Sequence, residues 1–151
     1  MVVQKEFVQR AHSIVWCTVA TVGPENRPRT RILHPLWELD EEFTGWIVTR
    51  ATPVKVRHLA YSPYLSCSYW EPGHEVAIAD CAAEWVMDAA TRQRVWELYR
   101  DAPAPLGYDF WSVFPDGPTG ESPALLKLTP YRLRLTDVET LSGRKAAAVW
   151  P

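Results

Sequence analysis

In "VVQKEFVQRAHSIV" the apolar residues Val3, Phe7, Val8, Ala11 and Ile14 share one stripe at helical spacing, with Lys5, Glu6, Gln9 and Arg10 mostly off it. An N-terminal amphipathic helix is predicted. "VWCTVATV" (Val15 to Val22) is rich in β-branched residues and ends in the turn signal Gly23-Pro24-Glu25-Asn26. A strand and a hairpin follow. The partner strand runs from about Pro28 to Leu39, and Asp40-Glu41-Glu42 turn the chain into a third strand, "FTGWIVT" (Phe43 to Thr49). These three strands predict a meander.

Thr52 then precedes Pro53, and proline suits the first position of a helix because the N–H it lacks has no helical partner there. A short helix to about Tyr61 is expected, closed by Ser62-Pro63. "YLSCSYW" (Tyr64 to Trp70) and "HEVAIADCAAEWV" (His74 to Val86) read as strands around the turn Glu71-Pro72-Gly73. Asp88 suits the N-cap of "AATRQRVWELYR", where Thr91, Val95, Leu98 and Tyr99 share a side. Between Asp101 and Pro123 five prolines and three glycines predict a surface excursion with one short helical piece around Tyr108 to Phe114. "ALLKLTPYRLRLTDV" returns to strand, and Ala146 to Trp150 form a last one. The sum is mostly β: six or seven antiparallel strands with helices inserted at two places. Sequential hairpins of this number close on themselves to remove exposed edges, so a small β-barrel with peripheral helices is expected.

The chain's 151 residues suit a single domain, residues 1–151, with one core. At 47% hydrophobic and 23% charged the composition is that of a soluble globular protein. A net charge of -2 argues against a nucleic-acid partner, since gripping phosphate backbones calls for an excess of cations. No apolar run approaches the roughly 20 residues that span a bilayer, so no membrane location is expected. Cys17, Cys67 and Cys81 are odd in number, lack metal spacing and follow no signal peptide, which fits a reducing cytoplasm. Eight tryptophans supply flat apolar surface, either ordinary core or the wall of a site for a planar ligand.

Candidate chemistry concentrates in "VTRATPVKVRHL", Val48 to Leu59, where a strand hands over to a helix. With Thr52 as N-cap, the free amides of Val54 and Lys55 carry the positive end of the helix dipole, which commonly holds phosphate or carboxylate. The Thr52 hydroxyl, the Lys55 ammonium and the nearby Arg50 or Arg57 supply charge-assisted hydrogen bonds to the same oxygens. Thr-Pro also starts helices that bind nothing, so the bare motif leaves both readings open. In "RPRTRILHPLWE" (Arg27 to Glu38), Arg29 and Arg31 share a strand face and His34 lies on the other from Arg31. That face is either solvated or, if it adjoins Val48 and Thr49, aimed with Lys55 at one phosphate. Other chemistry is poorly supported: Ser13, Ser66 and Ser68 lack a nucleophile elbow, and His74-Glu75 has no second histidine at helical spacing, so no metal site is expected.

The order of these motifs resembles the flavin-binding split β-barrels related to pyridoxamine 5'-phosphate oxidase, over most of the chain. "CTVATVGPENRPRTRIL" is similar to that family's opening hairpin, and "GWIVTRATPVKVRHLAYSPYLSCSYW" to its strand, phosphate-binding helix start and following strand. "VAIADCAAEWV" is similar to its next long strand. The most specific element is Thr49 closing a strand, Lys55 six residues on, and the run Leu59 to Pro63 into the next strand. The resemblance implies a six-stranded antiparallel split barrel that forms a homodimer, with flavin mononucleotide (FMN) at each end of the subunit interface.

Carried over by position, Arg31 contacts the cofactor phosphate, while Ile32, Leu33 and His34 lie along the isoalloxazine with their backbone groups. Val48 and Thr49 match the pair closing the next strand, and Thr52 and Lys55 the polar residue and lysine on the phosphate. Glu75 stands where the family often has a glutamine reaching the ring from the other subunit. Trp150 and Trp70 are the candidates for the cofactor wall. Two departures concern reaction: the arginine-leucine-histidine substrate motif of the true oxidases is missing, and their closing segment is absent. The expected function is an FMN-dependent oxidoreductase acting on a small planar substrate, the flavin performing the chemistry. Alternatives are an F420 (deazaflavin) reductase, its anionic tail met by Arg27, Arg29 or Arg57, or a non-catalytic carrier of flavin or of haem, with His12, His34, His58 or His74 on the iron.

Overall fold

The computed structural model describes residues 1–151. Helix α1 (Val2–Ile14) buries Phe7 and Ala11, two residues of its apolar stripe. Strands β1 (Cys17–Val22) and β2 (Pro28–Leu33) form the first hairpin. Its turn is closed by the Asn26 amide donating to the Gly23 carbonyl at 2.9 Å. Asn26 sits at φ 57°, a left-handed conformation that asparagine tolerates.

The partner strand expected to run unbroken to Leu39 is instead two strands. Strand β2 ends at Leu33, and β3 (Leu36–Leu39) begins after the buried pair His34-Pro35. Pro35 brings no N–H to a ladder and restricts the backbone of His34, so pairing stops there. Strand β2 stays with β1, while β3 pairs with β4 (Phe43–Thr49). Then follow α2 (Pro53–Tyr61), β5 (Tyr64–Trp70), β6 (Val76–Val86), α3 (Ala89–Asp101), α4 (Phe110–Val113), β7 (Ala124–Thr136), α5 (Val138–Leu141) and β8 (Ala148–Trp150). With the last strand, β8, present as expected, the break at Pro35 makes the strands eight.

All pairings are antiparallel, in the order β2-β1-β5-β6-β7-β4-β3 with β8 added to β7. The two end strands, β2 and β3, are joined by only two residues. The sheet must therefore curl until its ends meet at His34-Pro35, which gives a barrel split along that line.

Inward positions of the strands form the first core: Val19, Cys67, Tyr69, Ala79, Leu126 and Leu128 are buried, and Phe7 of α1 joins them. Phe7 is fully buried and meets Trp37 edge-on at 4.9 Å. Burial of such a ring is worth about 1.5–3 kcal/mol. Trp37 in turn lies over Gly45, where a Cβ would stand 2.5 Å from the indole. A second core lies on the outer side of β4 and β7, where Trp96, Tyr99, Phe110 and Phe114 pack on Leu36, Trp46 and Leu125. The 101–123 segment, expected as a surface excursion, thus sends Leu106, Phe110 and Phe114 inward. The three cysteines are free and buried, and no helix is long and apolar enough to cross a membrane.

Candidate functional site

Strand β4 ends where Val48 and Thr49 pair with Leu125 and Ala124 at the start of β7. Past it, Thr52 takes an extended conformation (φ -69°, ψ 150°) and Pro53 opens α2. The first bond of the helix is from the Val56 amide to the Thr52 carbonyl, at 3.1 Å. The amides of Val54 and Lys55 have no acceptor, and the Thr52 side chain does not cap them. The helix thus offers two free N–H groups and a free hydroxyl at its positive end.

Lys55 extends from this turn into the structure and is only 8% exposed, yet no carboxylate or carbonyl pairs with its ammonium. Burial lowers its pKa, and the charge of Arg31 lowers it further. The two cations stand on different elements, near enough for one charge to act on the other. Arg31 projects inward from β2, opposite Val19 of β1. Its Nη1 donates to the Thr21 hydroxyl at 2.7 Å and to the carbonyls of Val19 and Arg29 at 3.2 and 3.3 Å. Every bond it makes within the chain uses that one nitrogen, so Nη2 and Nε remain as an open pair of donors. Burial and then Arg29 lower the Arg31 pKa too. Two partly buried cations without a counter-ion, near free helix amides, can bond a phosphate-sized anion.

Two neighbours proposed from the sequence do not join this group. Arg50 donates to the Val113 carbonyl at 2.8 Å and lies over the Phe114 ring. Arg57 pairs with Glu25 at 2.7 Å. Both follow from tertiary packing, which places the 101–123 segment over Arg50 and the first hairpin turn over Arg57.

Along the split, β2 is an edge strand whose outer row of N–H and C=O groups has no strand partner. Ile32 is 60% exposed there and Leu33 half-buried. His34 is buried in an aromatic cage, stacked on Tyr108 at 5.2 Å and met by Trp16 and Tyr99. Both its ring nitrogens lack hydrogen-bond partners, and burial lowers its pKa. Thr49 is buried and Val48 packs toward the second core.

Two predicted residues lie elsewhere within the chain. Glu75 stands beside Arg10 of α1, 3.8 Å from its guanidinium. Trp150 pairs with Leu133 and packs against Phe43. Val48 pairs with Leu125, eight residues earlier on β7, so roughly 25 Å of strand separates the two positions. Trp70 is 58% exposed, with His74 beside it. Within the chain Arg31, Thr52 and Lys55 thus stand on neighbouring segments, while Glu75 and Trp150 lie toward α1.

The site also holds Thr21, which sequence reasoning passed over, and His58, named there only as a candidate for haem iron. Thr21 and His58, each 2% exposed, meet through Thr21 Oγ1 and His58 Nδ1 at 2.9 Å. The available signal was spacing: His58 is three residues after Lys55, hence on the same helix face. Two clefts have neither Arg31 nor Lys55 in their walls. One of about 650 Å³ is lined by Glu38, Asp40, Glu41, Glu42 and Glu84 against Arg94 and Lys127, a balance that repels phosphate. Another of about 490 Å³ is apolar, walled by Val56, Trp85, Met87 and Leu125.

No family model matches the chain, and no curated protein matches it. Solved structures match its fold. A Clostridium acetobutylicum protein related to general stress protein 26 of B. subtilis, of the pyridoxinephosphate oxidase family, superposes with TM-score 0.73 at 15% identity, over 97% of this chain and 92% of that one. A pyridoxamine 5'-phosphate oxidase-related, FMN-binding protein from Nostoc punctiforme gives TM-score 0.65 at 16% identity, covering 89% of this chain and 82% of that one. A conserved hypothetical protein from Mycobacterium tuberculosis gives 0.67 at 21% identity, covering 91% and 86%. The chain has the fold of the pyridoxamine 5'-phosphate oxidase-related proteins, as the order of its motifs implied.

Proposed function

We propose that the chain is an FMN-dependent oxidoreductase of the pyridoxamine 5'-phosphate oxidase-like family, passing a hydride or electrons between flavin and a small planar substrate. One observation carries the cofactor: Lys55 is buried beside Arg31 with no counter-ion in the chain. Keeping two cations close and partly dry is costly unless an anion joins them. The residues present fit a phosphomonoester, because every group around it donates: Arg31 Nε and Nη2, Lys55 Nζ, the Thr52 hydroxyl and the amides of Val54 and Lys55. No carboxylate stands among them. The free edge at Ile32, Leu33 and His34, with Val48 and Thr49 closing β4, supplies backbone donors and acceptors for a flat heterocycle.

Flavin, when bound, supplies the redox chemistry. The chain's work is to hold the phosphate, orient the ring along β2 and keep water from it. Glu75 is the residue least suited to a flavin, since a carboxylate beside a reduced anionic ring raises its energy. Its approach to Arg10 is a way to turn that charge aside. The site is completed in a homodimer, in which the second subunit brings Glu75 and Trp150 to the ring. Ile32, Tyr64, Trp70 and Tyr131 give the barrel's outside apolar surface for such a contact.

The test is the purified protein's spectrum after incubation with FMN and desalting, with sedimentation to give the oligomeric state. A retained flavin spectrum with one FMN per subunit supports the proposal; failure to retain or bind FMN sinks it. A second reading, F420 in place of FMN, is favoured by Arg29, which is exposed, free of any ion pair and close enough to depress Arg31. A longer anionic tail has a partner there. Competition between FMN and F420 distinguishes the two.

A further inference from the structure

We propose that Thr21 and His58 form a buried relay that positions Arg31 and Lys55 for phosphate, making His58 a positioning residue of the anion site. The proposal rests on the reading of Arg31 and Lys55 as phosphate ligands.

The hydrogen-bond chemistry orders the relay. A guanidinium only donates, so the Thr21 oxygen accepts from Arg31 Nη1 at 2.7 Å. The one hydroxyl hydrogen is then free to go to His58 Nδ1, 2.9 Å away. In the tautomer with its hydrogen on Nε2, Nδ1 accepts that bond. Both Thr21 and His58 are almost fully buried, so neither has water to replace the other.

The imidazole also has a shaped seat. It lies so close to Gly23 that a Cβ there would stand 2.5 Å from Cδ2 and 2.7 Å from Nε2. Gly23 is at negative φ, so what the position requires is the missing side chain rather than unusual backbone. The ring therefore presses α2 against the end of β1. Lys55 lies on the same face of α2, one turn earlier, and is held by the same contact. Through Thr21 the ring also fixes one nitrogen of Arg31 and leaves the other two donors unbonded. A single side chain thus sets the separation of two cations that repel each other. Glu25, Arg57, Arg31 and Lys55 are the charged groups around it.

The consequence is selective: the relay governs the grip on the phosphate and leaves the ring's own contacts alone. Fluorescence titrations with FMN and with riboflavin, which lacks the phosphate, measure the two separately. Thr21→Val, which keeps shape and removes the hydroxyl, is expected to weaken FMN roughly tenfold, the worth of one hydrogen bond. Riboflavin affinity stays unchanged, and Thr21→Ser restores FMN binding. His58→Leu is expected to act like Thr21→Val, whereas His58→Asn, which can place an acceptor near Nδ1, keeps most of the affinity. Gly23→Ala displaces the ring without removing a polar atom and gives the same FMN-selective loss. Wild-type FMN affinity in Thr21→Val, His58→Leu and Gly23→Ala, alongside a weakened Lys55→Met, overturns the relay but leaves the phosphate site standing. Equal losses for FMN and riboflavin overturn it as well, since they mark a merely structural role. If Lys55→Met and Arg31→Lys also bind FMN normally, the phosphate reading falls with it.

Discussion

Replacing Lys55 by methionine separates binding from folding, because it keeps the length of an apolar stem and removes only the charge. In the wild-type chain without ligand that charge is a liability: the residue is 8% exposed, its ammonium is unpaired, and the charge of Arg31 acts on it. Replacing even a paired buried ion with apolar groups of similar volume is often neutral or stabilising by about 1–4 kcal/mol, and an unpaired cation has less to lose. Even the low end, about 1 kcal/mol, raises the melting temperature of a chain this size by roughly 2–4 °C. FMN binding should move the other way. Loss of a charge-assisted hydrogen bond costs about 1.5–3 kcal/mol, hence roughly tenfold to 150-fold in Kd. Riboflavin should bind both proteins alike. The pH dependence has a definite sign. The folded pKa of Lys55 lies below the ordinary 10.5, so between those two values the unfolded chain holds the extra proton. Stability of the wild type therefore rises through that window and its deficit against Lys55→Met narrows. Calorimetry of the ligand-free proteins and fluorescence titration with both flavins are the assays. A destabilised Lys55→Met protein, or one that binds FMN as the wild type does, refutes the idea that Lys55 waits for an anion.

Arg31→Lys should weaken FMN about as much as loss of one contact, about 1.5–3 kcal/mol, because a point charge cannot bond Thr21 and two phosphate oxygens at once; titration checks this. Gly45→Ala should destabilise by about 1–3 kcal/mol in urea unfolding, since its Cβ would meet the Trp37 ring at 2.5 Å. Burial lowers the pKa of both His12 and His34, so the unfolded chain gains protons first as pH falls through 6.5. Melting temperature should drop from there toward the folded values, and His34→Phe should flatten that slope. Asp137, lowered to about 2 by hydrogen bonds from Lys145 and Thr140, should hold α5 until pH falls from about 4 through about 2, visible as loss of that transition in Asp137→Asn.

Much of the fold was legible because strands and helices carry different periods. The limits of β4 and β5 fall where alternation predicted them, and α2 starts at Pro53 as its cap implied. What escaped was decided at a distance. Pro35 is a local sign in "RTRILHPLWEL" that pairing stops, but the apolar pattern continues across it, and the new partner, β4, is set by the tertiary fold. The inward turn of Phe110 and Phe114 was hidden by prolines and glycines that read as a loop. The site divides likewise. Arg31, Thr52 and Lys55 could be named from motif order. The diversion of Arg50 to Val113 and of Arg57 to Glu25 depends on segments 63 and 32 positions away. Thr21 was overlooked and His58 named only for haem iron, because each alone is an ordinary residue; only their contact gives them this role.

The break at Pro35 that defeated the strand prediction is also what gives the site its form. Had β2 continued straight into β3, its outer edge would have paired along its length and left no free backbone for a ligand. A proline stops the pairing, and the strand that follows crosses to β4. That leaves the edge from Arg31 to Leu33 open on one side and the end of β4 at Val48 and Thr49 on the other. An open edge invites aggregation, and sheets usually cover it. Here β2 carries Arg27 and Arg29 at its start, charges that discourage another strand and attract an anion. The aromatic cage around His34, closed by Tyr108 and Tyr99 from the 101–123 segment and α3, fixes the bend itself. On this account the excursion serves the site from behind by holding the split open to a set width. Loosening the cage, as Tyr108→Ala does, should weaken riboflavin and FMN in the same proportion, whereas changes at Lys55 act on FMN alone.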